Sequence, residues 1–299
     1  MNLSVLVNQG SDRTAQVAAE LLVMAGKMGF RIHMSKKAAR AVAKHGKTPK
    51  VHTFDTEREA MSMGEITIAI GGDGTILRAA RLVREIRHPL LGINSGRLGF
   101  LANVQQQHMK AALVKIMNGD YQLDQRHFIQ AEFSDGSIAY ALNEFVFSRK
   151  GTVSMITLTA EYDGSLINRY WADGIIVSSP TGSTAYNLST GGPIVLPRTN
   201  VMVLTPISPH TLTTRPLVLS SQKNLTIKVE PANQKVLFSG DGANYDLPDN
   251  DPVVHIRQSD QDIHLIKLSG QSYFQTLREK LMWGADIREK SESISTIKP

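Results

Sequence analysis

Residues Ile66 to Leu77 read ITIAIGGDGTIL, and this stretch restricts the folds open to the chain more than any other. Five residues rich in β-branched side chains describe a buried strand. Gly71, Gly72 and Gly74 follow at once, and an amphipathic pattern begins near Thr75. The stretch is therefore a strand, a tight glycine turn and a helix start. Glycines let the backbone adopt positive φ and approach a ligand closely. A helix start offers free N–H groups and the positive end of the helix dipole, which attract phosphate. Asp73 is the odd element, because a plain phosphate cradle excludes negative charge. A carboxylate beside a phosphate site suits a hydroxyl that reacts next to phosphates. The turn lacks the lysine and spacing of a P-loop, and it lacks the third glycine of the dinucleotide fingerprint.

The flanking sequence alternates in period. Leu3 to Val7 reads as a buried strand, and Ser11 or Asp12 caps a helix to about Lys27. Phe30 to Met34 reads as a strand, Ala38 to Lys44 as a helix and Glu57 to Met63 as a helical turn. After the glycine turn, a helix carries Ile76, Leu77, Ala80, Leu82 and Val83 and stops before Pro89. Pro89 to Ile93 is a further strand that enters a second glycine loop, Asn94 to Phe100, and Gln107 to Met117 is a helix. Strands alternating with helices predict an open, Rossmann-like α/β sheet with parallel strands. Ligands of such sheets bind at the C-terminal strand ends, where both glycine loops fall.

The pattern changes after Asn118-Gly119. Two hairpins stand out: Phe128 to Phe133 turns at Asp135-Gly136 into Ile138 to Phe147, and Met155 to Tyr162 turns at Asp163-Gly164 into Leu166 to Trp171. Further strands are expected at Ile175 to Val177, Val201 to Leu204, Leu217 to Leu219, Leu225 to Val229, Val236 to Phe238, Val253 to Ile256 and Ile263 to Leu268. This predicts an α/β domain over 1–119 and a mostly β domain over 120–268. Residues 269–299 would supply a helix, Phe274 to Met282, packing back on the first domain, and a mobile polar tail from Asp286 to Pro299.

Composition narrows the function classes. The chain has no cysteine, which excludes disulfides and thiolate metal sites and fits a reducing compartment such as the cytoplasm. No apolar run approaches ~18 residues, so no membrane span is expected. The start, MNLSVLVNQGSD, reads as a first strand rather than a signal peptide. A net charge of +6 suits anionic nucleotides. The densest basic cluster, Ser35 to Lys50, has no interleaved aromatics and reads as a solvated helix face rather than a nucleic-acid surface.

Other residues fit a nucleotide site. In AYALNEFVFS, alternation places Asn143 with Ala141, Phe145 and Phe147, and Glu144 with Leu142 and Val146. Both faces are apolar, so the strand should be buried, and a buried amide and carboxylate need partners. Their donor and acceptors suit a ribose diol. Asp173 to Tyr186 is a short strand running into a series of hydroxyls, with Ser183 or Thr184 as a helix cap and the Tyr186 ring beside them. Arg215 suits phosphate, whereas His210 in its proline-bounded loop reads as structural. SGDG at 239–242 echoes GGDG at 71–74 but reads as a hairpin turn. There is no carboxylate pair for glycoside hydrolysis and no histidine spacing for zinc, and Ser183 does not sit in a nucleophile elbow.

Together, GGDGTILRAAR at 71–81, INSGRLGFLANV at 93–104, NE at 143–144, DGIIVSSPTGSTAYNLSTGGP at 173–193 and SPHTLTTRPLV at 208–218 resemble the NAD kinase family. The resemblance implies transfer of the γ-phosphoryl of ATP to the adenosine-ribose 2′-hydroxyl of NAD, giving NADP. It implies an N-terminal α/β domain and a C-terminal β-sandwich-like domain with the active site between them. It makes Asp73 the catalytic residue, with Gly72, Gly74 and Arg78 beside it. It puts Asn143 and Glu144 on a ribose, and Ser154, Asp173, Thr181, Thr184, Ala185, Tyr186, Asn187, Leu188 and Ser189 on the NAD. It also implies a divalent cation, Mg2+, carried with ATP, no metal held by the protein itself, and a homo-oligomer, dimer or tetramer. Some members accept inorganic polyphosphate. The chain departs from the family at Ala243-Asn244, where many bacterial members place Gln, and at Trp171-Ala172, where some have Arg. Donor preference and the choice between NAD and NADH stay open. A lipid kinase sharing the GGDG turn and a non-catalytic NAD sensor are the rival readings. Phosphoryl transfer rests on positioning and charge stabilisation, so Asp73 is expected to orient the hydroxyl first and take its proton late.

Overall fold

The structure is a computed structural model that describes residues 1–8, 10–96, 99–102, 104–151, 154–230, 236–248 and 252–282. Arg97, Leu98 and Asn103 of the second glycine-loop motif, and the expected tail from Asp286 to Pro299, lie outside the described residues.

The N-terminal part alternates as its periodicity requires. Its elements are β1 (Asn2–Val7), α1 (Asp12–Lys27), β2 (Arg31–Ser35), α2 (Lys36–Ala43), β3 (His52–Phe54), α3 (Glu57–Ser62), β4 (Ile66–Gly71), α4 (Asp73–Val83), β5 (Leu90–Asn94), β6 (Val104–Gln105) and α5 (Met109–Met117). The strands pair in parallel in the order β6, β5, β4, β1, β2, β3. Every residue of β4 is buried, since β1 and β5 flank it and helices cover both faces. On one face, Val17, Leu21 and Leu22 of α1 and Leu113 and Ile116 of α5 share a core with Val5, Ile68 and Ile70. Local signals fix the helix starts. Ser11 caps α1 by accepting from the Thr14 N–H, and Thr56 and Glu59 form a capping box on α3.

The C-terminal part is built from β7 (Tyr121–Phe133), β8 (Ile138–Ala141), β9 (Glu144–Arg149), β10 (Ile156–Tyr162), β11 (Ser165–Ala172), β12 (Gly174–Ser178), the short α6 (Tyr186–Ser189), β13 (Val201–Ile207), β14 (Leu217–Ser220), β15 (Leu225–Glu230), β16 (Val236–Gly240), β17 (Ala243–Tyr245) and β18 (Val253–Leu268), followed by α7 (Tyr273–Leu281). β7 and β18 form a long antiparallel ribbon, and Leu265 of β18 also pairs with Leu90 of β5. The first sheet therefore runs on from the α/β part through β18 to β15, β10 and β11. A second, six-stranded sheet, ordered β14, β13, β12, β9, β16, β17, packs on that antiparallel portion as a sandwich. Phe238 sits at its centre, with ring centroids 4.6 Å from Phe147, 5.3 Å from Phe145 and 5.5 Å from Phe133. In the β10–β11 hairpin, Asp163 and Gly164 take φ of 52° and 78°, the two positive angles that match the strand twist.

Two expectations need correction. Val253 to Leu268 is one strand rather than two, because its pairing with β7 shifts register between Gln258 and Asp262 without ending. Ile138 to Phe147 is two strands rather than one. β8 belongs to the first sheet and β9 to the second, so the chain changes sheets at Leu142-Asn143.

A third core ties the two parts together. Ile76, Ala79, Ala80 and Val83 of α4 share it with Phe128 of β7, Leu142, and Ile263 and Leu265 of β18. The Arg84 guanidinium also lies 3.8 Å over the Tyr140 ring of β8. The helix that begins at Asp73 and the bend that carries Asn143 thus rest on one packed surface.

Candidate active site

The first glycine turn has the expected form. Gly71 takes φ of +155°, and a Cβ there would overlap Thr75. Gly72 is the N-cap of α4, and no side chain caps that helix among the described residues. Its first N–H groups border an open recess of about 370 Å3 lined by Asn8, Gly72, Gly74, Thr75 and Arg78. Arg78 is held at the rim: it donates to the Val7 carbonyl at 2.9 Å and pairs with Glu57 at 3.4 Å.

Asp73 does more than the sequence signals. Its Oδ2 accepts from the Phe100 N–H at 2.8 Å, and its Oδ1 accepts from the N–H groups of Leu101 and Ala102 at 3.1 and 3.0 Å. One carboxylate thereby clamps the second glycine loop to the first. Gly99 makes the approach possible, since a Cβ there would collide with the Asp73 carboxylate. A carboxylate has about four acceptor positions. Three are used here, which leaves one on Oδ2.

Asn143 and Glu144 lie at the sheet-changing bend. Asn143 is 7 % exposed, and its Oδ1 has no hydrogen-bond partner among the described residues. The same holds for Glu144 Oε2, while the carboxylate accepts from the backbone N–H of Tyr186. Burial, followed by the negative charge of Asp241, pushes the Glu144 carboxyl up to about 8. Asp241 itself is raised, first by burial. It reaches the bend from the β16–β17 turn and accepts from the N–H groups of Leu142, Asn143 and Glu144 at 2.6, 2.8 and 3.2 Å. Sequence reasoning assigns Asp241 only to a hairpin turn. The signal that could have found it is its echo of GGDG, because each GDG aspartate collects three main-chain N–H groups of another segment.

The hydroxyl run splits into two roles. Thr181 accepts from Arg126 at 3.4 Å, and Ser183 bonds to the Pro180 and Val195 carbonyls. Asn187 turns inward: its amide donates to the Ser183 and Pro193 carbonyls at 3.1 Å, its oxygen accepts from Thr205 at 2.6 Å, and the residue is 0 % exposed. These groups build the loop. Thr184, Ala185, Leu188 and the exposed Tyr186 and Ser189 retain access to solvent.

Two expected site residues lie elsewhere. Asp173 stands at the opposite end of β12 from Ser178, which pairs with Glu144. That separation is about 15 Å along the strand. Asp173 pairs with Arg149 Nε at 2.8 Å. Ser154 is exposed just before β10, whose first residue, Ile156, pairs with Ala172, so it shares that end. Arg215 is occupied by the Leu212 and Thr214 carbonyls. His210 lies 4.3 Å from the Trp171 ring centroid.

A parallel sheet that opens an uncapped helix onto a recess, coupled through one core to a bend with unpartnered buried polar atoms, has the features of a two-part protein that binds an anionic ligand bearing hydroxyls. Residues 3–121 match the ATP-NAD kinase N-terminal domain and residues 142–268 the ATP-NAD kinase C-terminal domain. The chain belongs to the NAD kinase family. It is 42% identical over 241 residues to the NAD kinase of Flavobacterium johnsoniae, spanning 79% of this chain and 82% of that protein. It is 34% identical over 294 residues to the NAD kinase of Flavobacterium psychrophilum, spanning 96% of this chain and 100% of that protein. In fold it is similar to yeast NADH kinase complexed with NADH, with a TM-score of 0.86 at 22% identity over 96% of this chain and 89% of that one. It is also similar to the Archaeoglobus fulgidus NAD kinase in complex with ATP, with a TM-score of 0.73 at 23% identity over 94% and 99%. The chain is accordingly an enzyme that phosphorylates NAD.

Proposed function

We propose that the bend at Asn143-Glu144 holds the adenosine ribose of NAD and that the recess at the start of α4 takes the phosphates of ATP. Asp73 joins the two by accepting a hydrogen bond from the ribose 2′-hydroxyl. The observation that carries this reading is the pair of buried, unpartnered polar atoms, Asn143 Oδ1 and Glu144 Oε2. Buried polar atoms left unpaired are costly, and a ribose diol answers them: its 3′-hydroxyl donates to Asn143 Oδ1, its 2′-hydroxyl is left for Asp73, and the Glu144 carboxyl, which holds its proton up to about pH 8, donates to a ribose oxygen.

The chemistry follows from the groups around these atoms. The N-terminus of α4 and Arg78 bear on the negative charge of the transferring phosphoryl group. Asp73 Oδ2 uses its remaining acceptor position to point the 2′-oxygen at the γ-phosphorus. The hydroxyl proton passes to that carboxylate late, as the new P–O bond forms and the bond to ADP breaks. In this reading the divalent cation is carried with ATP. Such a cation, Mg2+ for a nucleoside triphosphate, would supply neutralisation of the phosphate charge.

The exposed face of Thr184 to Ser189 takes the adenosine, and Asp173 and Ser154 take the nicotinamide end. Thr181 and Asn187 serve the site by shaping its loop. The enzyme works in the cytoplasm in NADP biosynthesis, as a homo-oligomer. Exposed apolar residues on two edge strands, Leu166 and Trp171 on β11 and Leu217 and Val218 on β14, support self-association.

Incubation with ATP, Mg2+ and NAD, followed by enzymatic detection of NADP, tests the reaction, and Asp73→Asn tests the mechanism. The variant should fold and lose about 10²- to 10⁴-fold in kcat. A folded Asp73→Asn enzyme with near wild-type kcat would refute the role given to this carboxylate.

A further inference from the structure

The main chain of Leu142 to Glu144 is held almost entirely by two residues that the reaction does not otherwise need. Its three N–H groups go to the Asp241 carboxylate. The Leu142 carbonyl accepts from Ser179 Oγ, and the Asn143 carbonyl accepts from the Ser179 N–H at 2.8 Å. The Glu144 carbonyl accepts from the Asp241 N–H at 3.1 Å. A sheet-changing bend would ordinarily leave such groups to water or to chance partners. Here every one is fixed, and the bend has no room to shift toward Gly182, where even a Cβ would overlap the Asn143 carbonyl.

We infer that Asp241 is a positioning residue for the nucleotide: it sets the backbone of Leu142 to Glu144 so that the Asn143 and Glu144 side chains stay unpartnered and face the ribose. This rests on the function proposed above. With the main chain satisfied by Asp241 and Ser179, neither the buried Asn143 carboxamide oxygen nor the buried Glu144 Oε2 has a hydrogen-bond partner among the described residues. Asp241 reaches the bend from a two-residue hairpin turn in which Asp241 and Gly242 take φ of +48° and +76°, as Asp163 and Gly164 do in theirs. The charges that act on this carboxylate are Glu144 on the bend and Arg81 on α4, the helix that starts at Asp73.

Asp241→Asn tests the inference. The amide keeps an acceptor where Oδ1 receives Asn143 and Glu144, and it turns an NH2 group against the Leu142 N–H. A misplacement of about 1 Å costs up to 10²-fold. The expected result is a rise of about tenfold or more in KM for NAD, with KM for ATP changed less than about twofold. In an N143A/E144A background the same substitution should leave KM for NAD unchanged, because the groups it positions are gone. A folded Asp241→Asn enzyme with KM for NAD within about twofold of wild type overturns the inference, as does a penalty that persists undiminished in the N143A/E144A background. If Asp241→Asn does not fold, Ser179→Ala decides by the same criteria, since it frees the bend from its other side. Failure of the wild-type enzyme to make NADP would instead refute the proposed function.

Discussion

Glu144 gives the sharpest numerical test of the site. Glu144→Gln keeps the shape and the acceptor for the Tyr186 N–H and removes the ionisation. In the folded protein burial and Asp241 raise the carboxyl from 4.5 to about 8. Below pH 4.5 both the folded and the unfolded chain hold the proton, and the group has no effect on the pH dependence. Between the two values the unfolded chain has released a proton that the folded chain retains, so wild-type stability falls as pH rises through this window. Above pH 8 both states are ionised and the loss is complete. The shift of 8 − 4.5 = 3.5 units, at 1.36 kcal/mol per unit, corresponds to about 5 kcal/mol. The Gln side chain has no such loss, so the stability of the variant relative to wild type should grow by about 5 kcal/mol between about pH 4 and pH 10. That is roughly 10 °C in Tm for a chain of this size. Thermal unfolding of both proteins across this range, without nucleotides, reads the difference, in which titrating groups not coupled to Glu144 cancel and Asp241, whose charge acts on it, does not. A difference that stays within about 1 kcal/mol over the whole range would show that Glu144 is not held in a charge-excluding pocket, and the burial argument for a ribose site would fail with it.

Two further substitutions probe the clamp and the core. Gly99→Ala should push the Phe100–Ala102 loop off the Asp73 carboxylate and lower kcat about tenfold with little effect on thermal stability, which steady-state kinetics and a melting curve decide together. Phe238→Ala should destabilise the sandwich by about 4 kcal/mol. Its Tm should then fall by roughly 10 °C, while any enzyme that stays folded keeps its KM for ATP.

Local chemistry makes part of this molecule readable. The buried run before Gly71, the Asp135-Gly136 and Asp163-Gly164 turns and the cap at Ser11 each depend on neighbours within a few positions, and all take the expected form. Alternation cannot reveal the change of sheet at Leu142-Asn143. Period-two patterning continues across the bend, and only the distant Asp241 and Ser179 supply the hydrogen bonds that allow it. The β7–β18 ribbon is hidden for the same reason, because its partners are brought together by the whole C-terminal part. The hydroxyl run shows the limit for side chains. Composition alone makes Asn187 look like a ligand contact, yet a cluster of carbonyls and Thr205 turns it into the protein.

The two GDG turns carry one physical idea. Each aspartate lies in a tight turn that a second segment approaches until its N–H groups reach the carboxylate, and at Asp73 it is Gly99 on that segment that admits the approach. Asp241 and Asp73 each bind three such groups, two on Oδ1 and one on Oδ2. Their surroundings separate them. Burial dominates at Asp241, so its carboxylate serves the bend behind which it is packed. Asp73 stands between Gly72 and Gly74, both of which line the open recess, and under the proposed function its remaining acceptor position on Oδ2 is the one that meets the hydroxyl. One carboxylate therefore only holds structure, whereas the other can also orient a hydroxyl. Three N–H donors fix its direction before substrate arrives, so no reorganisation is required when the hydroxyl binds. Under the proposed function, the negative charge that looks misplaced in a phosphate-attracting turn is the acceptor for the ribose 2′-hydroxyl.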